Sequence, residues 1–152
     1  MKSCPHCGCE LTQPSGGKAR SVEQIRRFFA MIKAAFLHWP ETHERQFSSS
    51  EELRAYLQMK AGAREIGAQI PLTGLPKERA MLLAEAAIRG AGSHSMPVIH
   101  GETLVIFRPK SISFAKMAHA DFCRLNDDVA GVIRNETGND PEELMRQTER
   151  AA

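Results

Sequence analysis

The sequence predicts an α+β fold: a mostly helical single domain with a small antiparallel β-hairpin or sheet and an N-terminal zinc knuckle. Three observations predict it. Two long stretches, 21–38 and 113–138, space their apolar residues to line one face of a helix. Two short runs rich in β-branched residues, 96–100 and 103–108, are separated only by Gly101-Glu102, the pattern of a hairpin. Three of the four cysteines fall within the first nine residues, in Cys4-Pro5-His6-Cys7-Gly8-Cys9.

Two thiolates in a Cys-x-x-Cys turn can hold one metal ion, and Pro5 and Gly8 suit a tight knuckle that turns both sulfurs inward. The stretch Gln13-Pro14-Ser15-Gly16-Gly17-Lys18 then reads as a connector. In the first helix Ser21 and Gln24 have capping-box spacing. Val22, Ile25, Phe28, Phe29, Ile32, Phe36 and Trp39 share an arc about 120° wide, with Arg20, Glu23, Gln24, Arg26, Arg27, Lys33 and His38 on the other side. Trp39-Pro40 ends the helix. Ser49 and Glu52 cap a second helix with Leu53, Tyr56, Leu57 and Met59 on its apolar side and Gly62 as its stop.

Residues 66–72 suit a short strand. Residues 75–89 have helical composition, with Ala-rich packing, Gly90 as a stop and a mobile loop over 90–95. On the last long helix Phe114, Ala118, Phe122, Leu125, Val129, Val132 and Ile133 form the core face. Asp140-Pro141-Glu142-Glu143 opens a short terminal helix, with proline at its first position and acids at the positive end of its dipole. The expected organisation is a zinc knuckle and connector over 1–19, a helical α+β core over 20–138, and a short acidic helix or tail over 139–152.

Composition bounds the function. The chain has 152 residues, 42% of them hydrophobic and 25% charged, and a net charge of +2. No run approaches the roughly 18 apolar residues of a membrane span, and the N-terminus lacks the apolar stretch of a signal peptide. A cytoplasmic location without a membrane partner is therefore expected, and in a reducing compartment metal binding outranks a disulfide for Cys4 and Cys7. Residues 1–33 carry six basic and two acidic side chains; residues 139–152 carry two basic and four acidic ones. A polyanion contact near the N-terminus fits this pattern, and so does a solvated surface.

The missing half of a tetrahedral site is sought on the last long helix. His119 and Cys123 are four residues apart and leave the helix on the same side, which lies off the apolar arc. Cys4, Cys7, His119 and Cys123 would then hold a structural Zn2+. Cys9 as third ligand, with His6 or a partner subunit completing the sphere, is the competing set. A catalytic zinc would want an open position and a nearby general base, and His-Glu-x-x-His does not occur. Glu41-Thr42-His43-Glu44 reads as a solvated loop. Asp127 and Asp128 are adjacent on a helix and point about 100° apart, a poor two-metal or acid–base pair, so no catalytic residue is assigned. The remaining constellation is the basic face of the first helix. Arg20, Arg26, Arg27 and Lys33 can track phosphates and Gln24 can add hydrogen bonds, with Phe28, Phe29 and Phe36 committed to the core.

Two segments carry a resemblance. One is Arg20-Ser21-x-x-Gln24-x-Arg26-Arg27-Phe28-Phe29, followed by Leu53-x-x-Tyr56-Leu57 and Lys60. The other is Pro109-Lys110-Ser111-Ile112-Ser113-Phe114-Ala115-Lys116-Met117 with Asp121-Phe122 behind it. Together they resemble the DUF1367 family of phage and prophage proteins, and the Arg-Ser-x-x-Gln-x-Arg opening is similar to that of the NinB (Orf) recombination mediators of lambdoid phages. The resemblance covers about residues 20–60 and 103–137. It implies a non-enzymatic, homodimeric protein of phage recombination or replication in a bacterial host. Such a protein would bind single-stranded DNA and help a recombinase displace a single-strand-binding protein. Arg20, Gln24, Arg26 and Arg27 are the positions carried over. The cysteine knuckle and residues 66–98 depart from the mediator pattern. They leave room for an adaptor that binds a component of the replication or recombination machinery.

Overall fold

The computed structural model describes residues 22–112 and 117–151. The knuckle residues Cys4, His6, Cys7 and Cys9, together with Arg20, Ser21 and Phe114, lie outside the described residues. The fold is α+β, with five helices and a three-stranded antiparallel sheet among the described residues. None of these helices is long and apolar enough to cross a membrane. They divide into two compact units, one drawn from 22–53 and 111–151, the other from 54–110.

In the first unit α1 (Val22–Leu37) begins and ends close to its expected bounds. Its buried lane is Phe28, Met31, Ile32, Ala34 and Ala35, and the Phe28 ring meets Phe122 at 5.4 Å. Phe29, expected in the core, is 45% exposed instead. The terminal helix α5 (Pro141–Ala151) packs along α1, so the covered sector widens on the Met31 and Ala34 side and Phe29 turns outward. Periodicity ranks apolar residues but cannot say which flank meets a neighbour.

Helix α4 (His119–Thr137) starts at His119 rather than near residue 113, because Ala118 is extended. Its buried residues include Phe122, Cys123, Leu125, Asn126, Val129, Ala130 and Ile133, while Val132 is half-buried and Ala118 exposed. Cys123 therefore lies on the core face, not off it. Gly138, in the left-handed region, donates its N–H to Arg134 O at 2.8 Å and closes α4. Asp140 accepts the Leu144 N–H at 3.1 Å through its backbone carbonyl as α5 starts at Pro141, and Leu144 is buried.

Helix α2 (Ser50–Lys60) spans the junction of the two units. Ser49 caps it, its Oγ accepting from the Glu52 N–H at 3.2 Å. The Glu52 carboxylate reaches one residue further back than a capping box requires, to the Ser48 N–H at 3.0 Å and its hydroxyl at 2.6 Å. Leu53, Tyr56, Leu57 and Met59 are buried as expected. The Gly62 N–H bonds to Met59 O at 3.1 Å and the Ala63 N–H to Gln58 O at 3.0 Å, a Schellman turn that needs φ +93° at Gly62.

The second unit is built on β1 (Arg64–Pro71), β2 (Met96–His100) and β3 (Thr103–Pro109), in the order β1-β3-β2. The expected β2–β3 hairpin forms, with His100 opposite Thr103. β3 is central and antiparallel to both neighbours, so β1 and β2 run parallel on either side of it. Helix α3 (Lys77–Ala91) is the crossover between them and lies against β3. It runs through Gly90, the expected stop, and Gly92 caps it. Ala-rich packing does not bury it. Ala80, Ala84 and Ala87 are only half-covered, no residue of α3 is buried, and Met81 and Leu82 are 55% and 64% exposed.

Candidate nucleic-acid interface and metal centre

The helical phase of α1 sets what its outer face can do. With Phe28, Met31, Ile32 and Ala35 inward, Arg26, Phe29 and Lys33 are left outward. Residues 26, 29 and 33 fall within one sector about 60° wide, so a cation stands about one turn to either side of an exposed ring. A flat aromatic face accepts any base, and flanking cations match the phosphates on either side of it. Expecting Phe29 in the core hid this arrangement; the visible hint was a helix with more apolar residues than one face can bury.

The other expected contacts of this helix are placed differently. Arg27 turns toward α5 and pairs with Glu142. Gln24 is half-buried and Lys33 exposed. Arg20 lies outside the described residues. Among the described positions, then, Arg26 and Lys33 flank Phe29 while Arg27 ties α1 to α5.

On α4 the two residues expected to share a side of the helix lie against each other. Cys123 Sγ and His119 Nε2 are 3.6 Å apart, Cys123 is 4% exposed and His119 half-buried. With Zn–S about 2.3 Å and Zn–N about 2.0–2.1 Å, a tetrahedral zinc separates a thiolate sulfur from an imidazole nitrogen by about 3.6 Å. The pair therefore fits one edge of a zinc tetrahedron, and the nitrogen on that edge is one that can coordinate. Among the described residues no three His, Cys, Asp or Glu side chains cluster as a metal site. Cys4 and Cys7, the two further ligands expected, lie outside them.

In the 41–44 loop Glu41, Thr42 and Glu44 are exposed as expected, and His43 alone turns inward. The His43 side chain is 15% exposed and its Nε2 meets a Glu136 carboxylate oxygen on α4. His43 Nδ1 lies 3.0 Å from the Arg45 backbone nitrogen and 3.1 Å from the Arg45 carbonyl oxygen. The Trp39 ring packs on His43 with centroids 4.8 Å apart and planes tilted by 57°, and Trp39 donates its Nε1–H to Arg45 O at 2.9 Å. Gln46 Nε2 holds the carbonyls of Pro40 at 3.0 Å and His43 at 2.9 Å. These bonds fasten the loop that follows α1 onto α4. Glu136 lies about 90 residues beyond His43, too far for local spacing to reveal.

Set against family models, curated proteins and solved structures, the chain matches none of them.

Proposed function

We propose that this is a non-enzymatic nucleic-acid-binding protein of phage or prophage type. It favours single-stranded DNA, serves recombination or replication in the cytoplasm of a bacterial host, and is stabilised by one structural Zn2+. The observation that carries this reading is the exposed Phe29 ring between Arg26 and Lys33 on the outside of α1. A ring with a cation on either side binds a strand without reading its sequence, as a protein coating single-stranded DNA requires. The similarity of the 20–29 segment to recombination mediators points the same way, and it implies a homodimer.

The zinc would be held by Cys4, Cys7, His119 and Cys123. The 3.6 Å edge between His119 and Cys123 supports two of these ligands, and the Cys-x-x-Cys knuckle supplies the others. Four protein ligands would close the sphere and leave no position for water or substrate, so the metal's work is to pin the N-terminal segment to α4.

The test is binding of a fluorescent oligo(dT), followed by anisotropy as salt is raised. Phe29→Ala is expected to cost about 1–3 kcal/mol of affinity through the lost stacking. Replacing Arg26 and Lys33 with Ala should lower the salt slope by roughly 1.4, about 0.7 for each phosphate contact. A wild-type protein that binds neither DNA nor RNA at low salt would sink the reading.

A second reading, an adaptor for a replication protein, is favoured by α3, whose Met81 and Leu82 are exposed on a helix that buries nothing. Its mark would be a partner retained after nuclease treatment and lost in Leu82→Glu.

A further inference from the structure

The positive charge of this chain is not where its first residues suggest. Residues 54–110 hold eight basic and four acidic side chains, a net of +4; all other residues hold twelve basic and fourteen acidic, a net of −2. Within the 54–110 unit four cations gather at one end of the sheet, where α2 passes into β1 and β3 finishes. Lys60 is the last residue of α2, Arg64 opens β1, Arg108 lies next to the end of β3, and Lys110 follows it. About 50 residues separate the two halves of this group in sequence, so only strand pairing brings them together. Arg64 is in register with Pro109, and the Lys110 N–H donates to Ala63 O at 2.9 Å.

The end of the sheet is held rigidly. Gln58 is fully buried, donates Nε2 to Lys110 O at 2.6 Å, and accepts from Arg54 Nη1 at 2.9 Å. Both backbone polar groups of Lys110 are therefore fixed, and the Schellman turn fixes the chain between Lys60 and Arg64. Of the four cations, Arg108 is neutralised by Glu65 at 2.7 Å. Lys60, Arg64 and Lys110 are exposed and have no acidic partner among the described residues. Two of them rest on rings: Lys60 Nζ lies 5.7 Å from the Tyr56 ring, and the Arg64 guanidinium 4.5 Å from that of Phe107. A guanidinium held by one face keeps its N–H edge available for an anion.

We infer that Lys60, Arg64 and Lys110 form a phosphodiester-binding site for a single-stranded nucleic acid, a second contact surface of the binding protein proposed above, on which this assignment rests. Three unneutralised cations on a fixed backbone supply attraction at set positions. Their contacts go to phosphates, so this surface adds affinity and no sequence preference.

The measurement is anisotropy with labelled oligo(dT) and oligo(U) across a salt series. The variant carries Lys60→Gln, Arg64→Gln and Lys110→Gln together. It is compared with a control of equal charge change on α3: Lys77→Gln, Arg79→Gln and Arg89→Gln. The site variant should bind at least about tenfold more weakly at low salt, with a salt slope lower by roughly 2, for three contacts at about 0.7 each. The α3 control should bind much as the wild type does. Equal weakening by both variants would reduce the effect to net charge and overturn the site. Wild-type binding that the site variant leaves intact would overturn this assignment and spare the proposed function. Absence of wild-type binding would remove both. Should Arg64→Gln loosen the packing on Phe107, the pair Lys60→Gln and Lys110→Gln still decides, with a slope loss of about 1.4 expected.

Discussion

At His43 both ring nitrogens are engaged, one by the Arg45 backbone and the other by Glu136, and the ring packs at a tilt against Trp39. A side chain so placed is a fastener between the loop after α1 and α4. Removing it deletes hydrogen bonds in a part-buried setting, which costs about 1–3 kcal/mol. His43→Ala is expected to lower the urea midpoint accordingly, with a smaller effect for Glu136→Gln, which retains an acceptor. An unchanged midpoint in His43→Ala would show the contact to be incidental. The residues read best from sequence were those whose role is local. The spacing of His119 and Cys123 predicted a shared side of the helix, and their 3.6 Å separation agrees. That Cys123 is buried was not legible, because burial depends on which neighbour covers each side of α4. Phe29 failed for the same reason in the opposite direction.

Among the elements, the cap of α2 shows how far local chemistry reaches. Ser49, Glu52 and Gly62 were assigned from residue type and spacing alone, and each acts at the expected end of the helix. Gly62 has φ +93°, and a Cβ there would meet nothing within 4 Å. Its replacement therefore tests conformation without steric conflict. Gly62→Ala should destabilise the protein by about 1–2 kcal/mol, the cost of holding an L-residue in the left-handed region. A loss below a few tenths, read from urea unfolding, would mean that the turn tolerates another geometry. Helix α3 marks the limit of such reasoning. Its composition is helical and the helix forms, yet the same composition suggested buried packing that β3 alone does not provide. The β2–β3 hairpin was legible because its turn is two residues long. The pairing of β1 with β3 was not, since Arg64 and Pro109 are far apart in the chain.

For the whole molecule, metal content and mass are the informative quantities. A native mass measurement with metal analysis is expected to return one zinc per chain in a dimer. Loss of that zinc is expected in Cys123→Ala and Cys4→Ala, and its retention in Cys9→Ala. A ratio of one half would place the metal between two chains. A metal-free protein would leave the 3.6 Å approach as a thiol–imidazole contact only. At this scale the α+β class was visible in the sequence, through two amphipathic stretches and one hairpin. Charge was harder to read. A count along the chain emphasised residues 1–33, whereas grouping by contact puts the excess in residues 54–110.

The discontinuity of the first unit bears on how the chain is made. Phe28 packs on Phe122 and Arg27 pairs with Glu142, so α1 leaves the ribosome long before either partner exists. The 54–110 segment is continuous and can complete its strand pairing meanwhile. Nascent α1 must therefore wait without the Phe122 ring that Phe28 packs on, leaving part of its apolar face open while the rest of the chain is made.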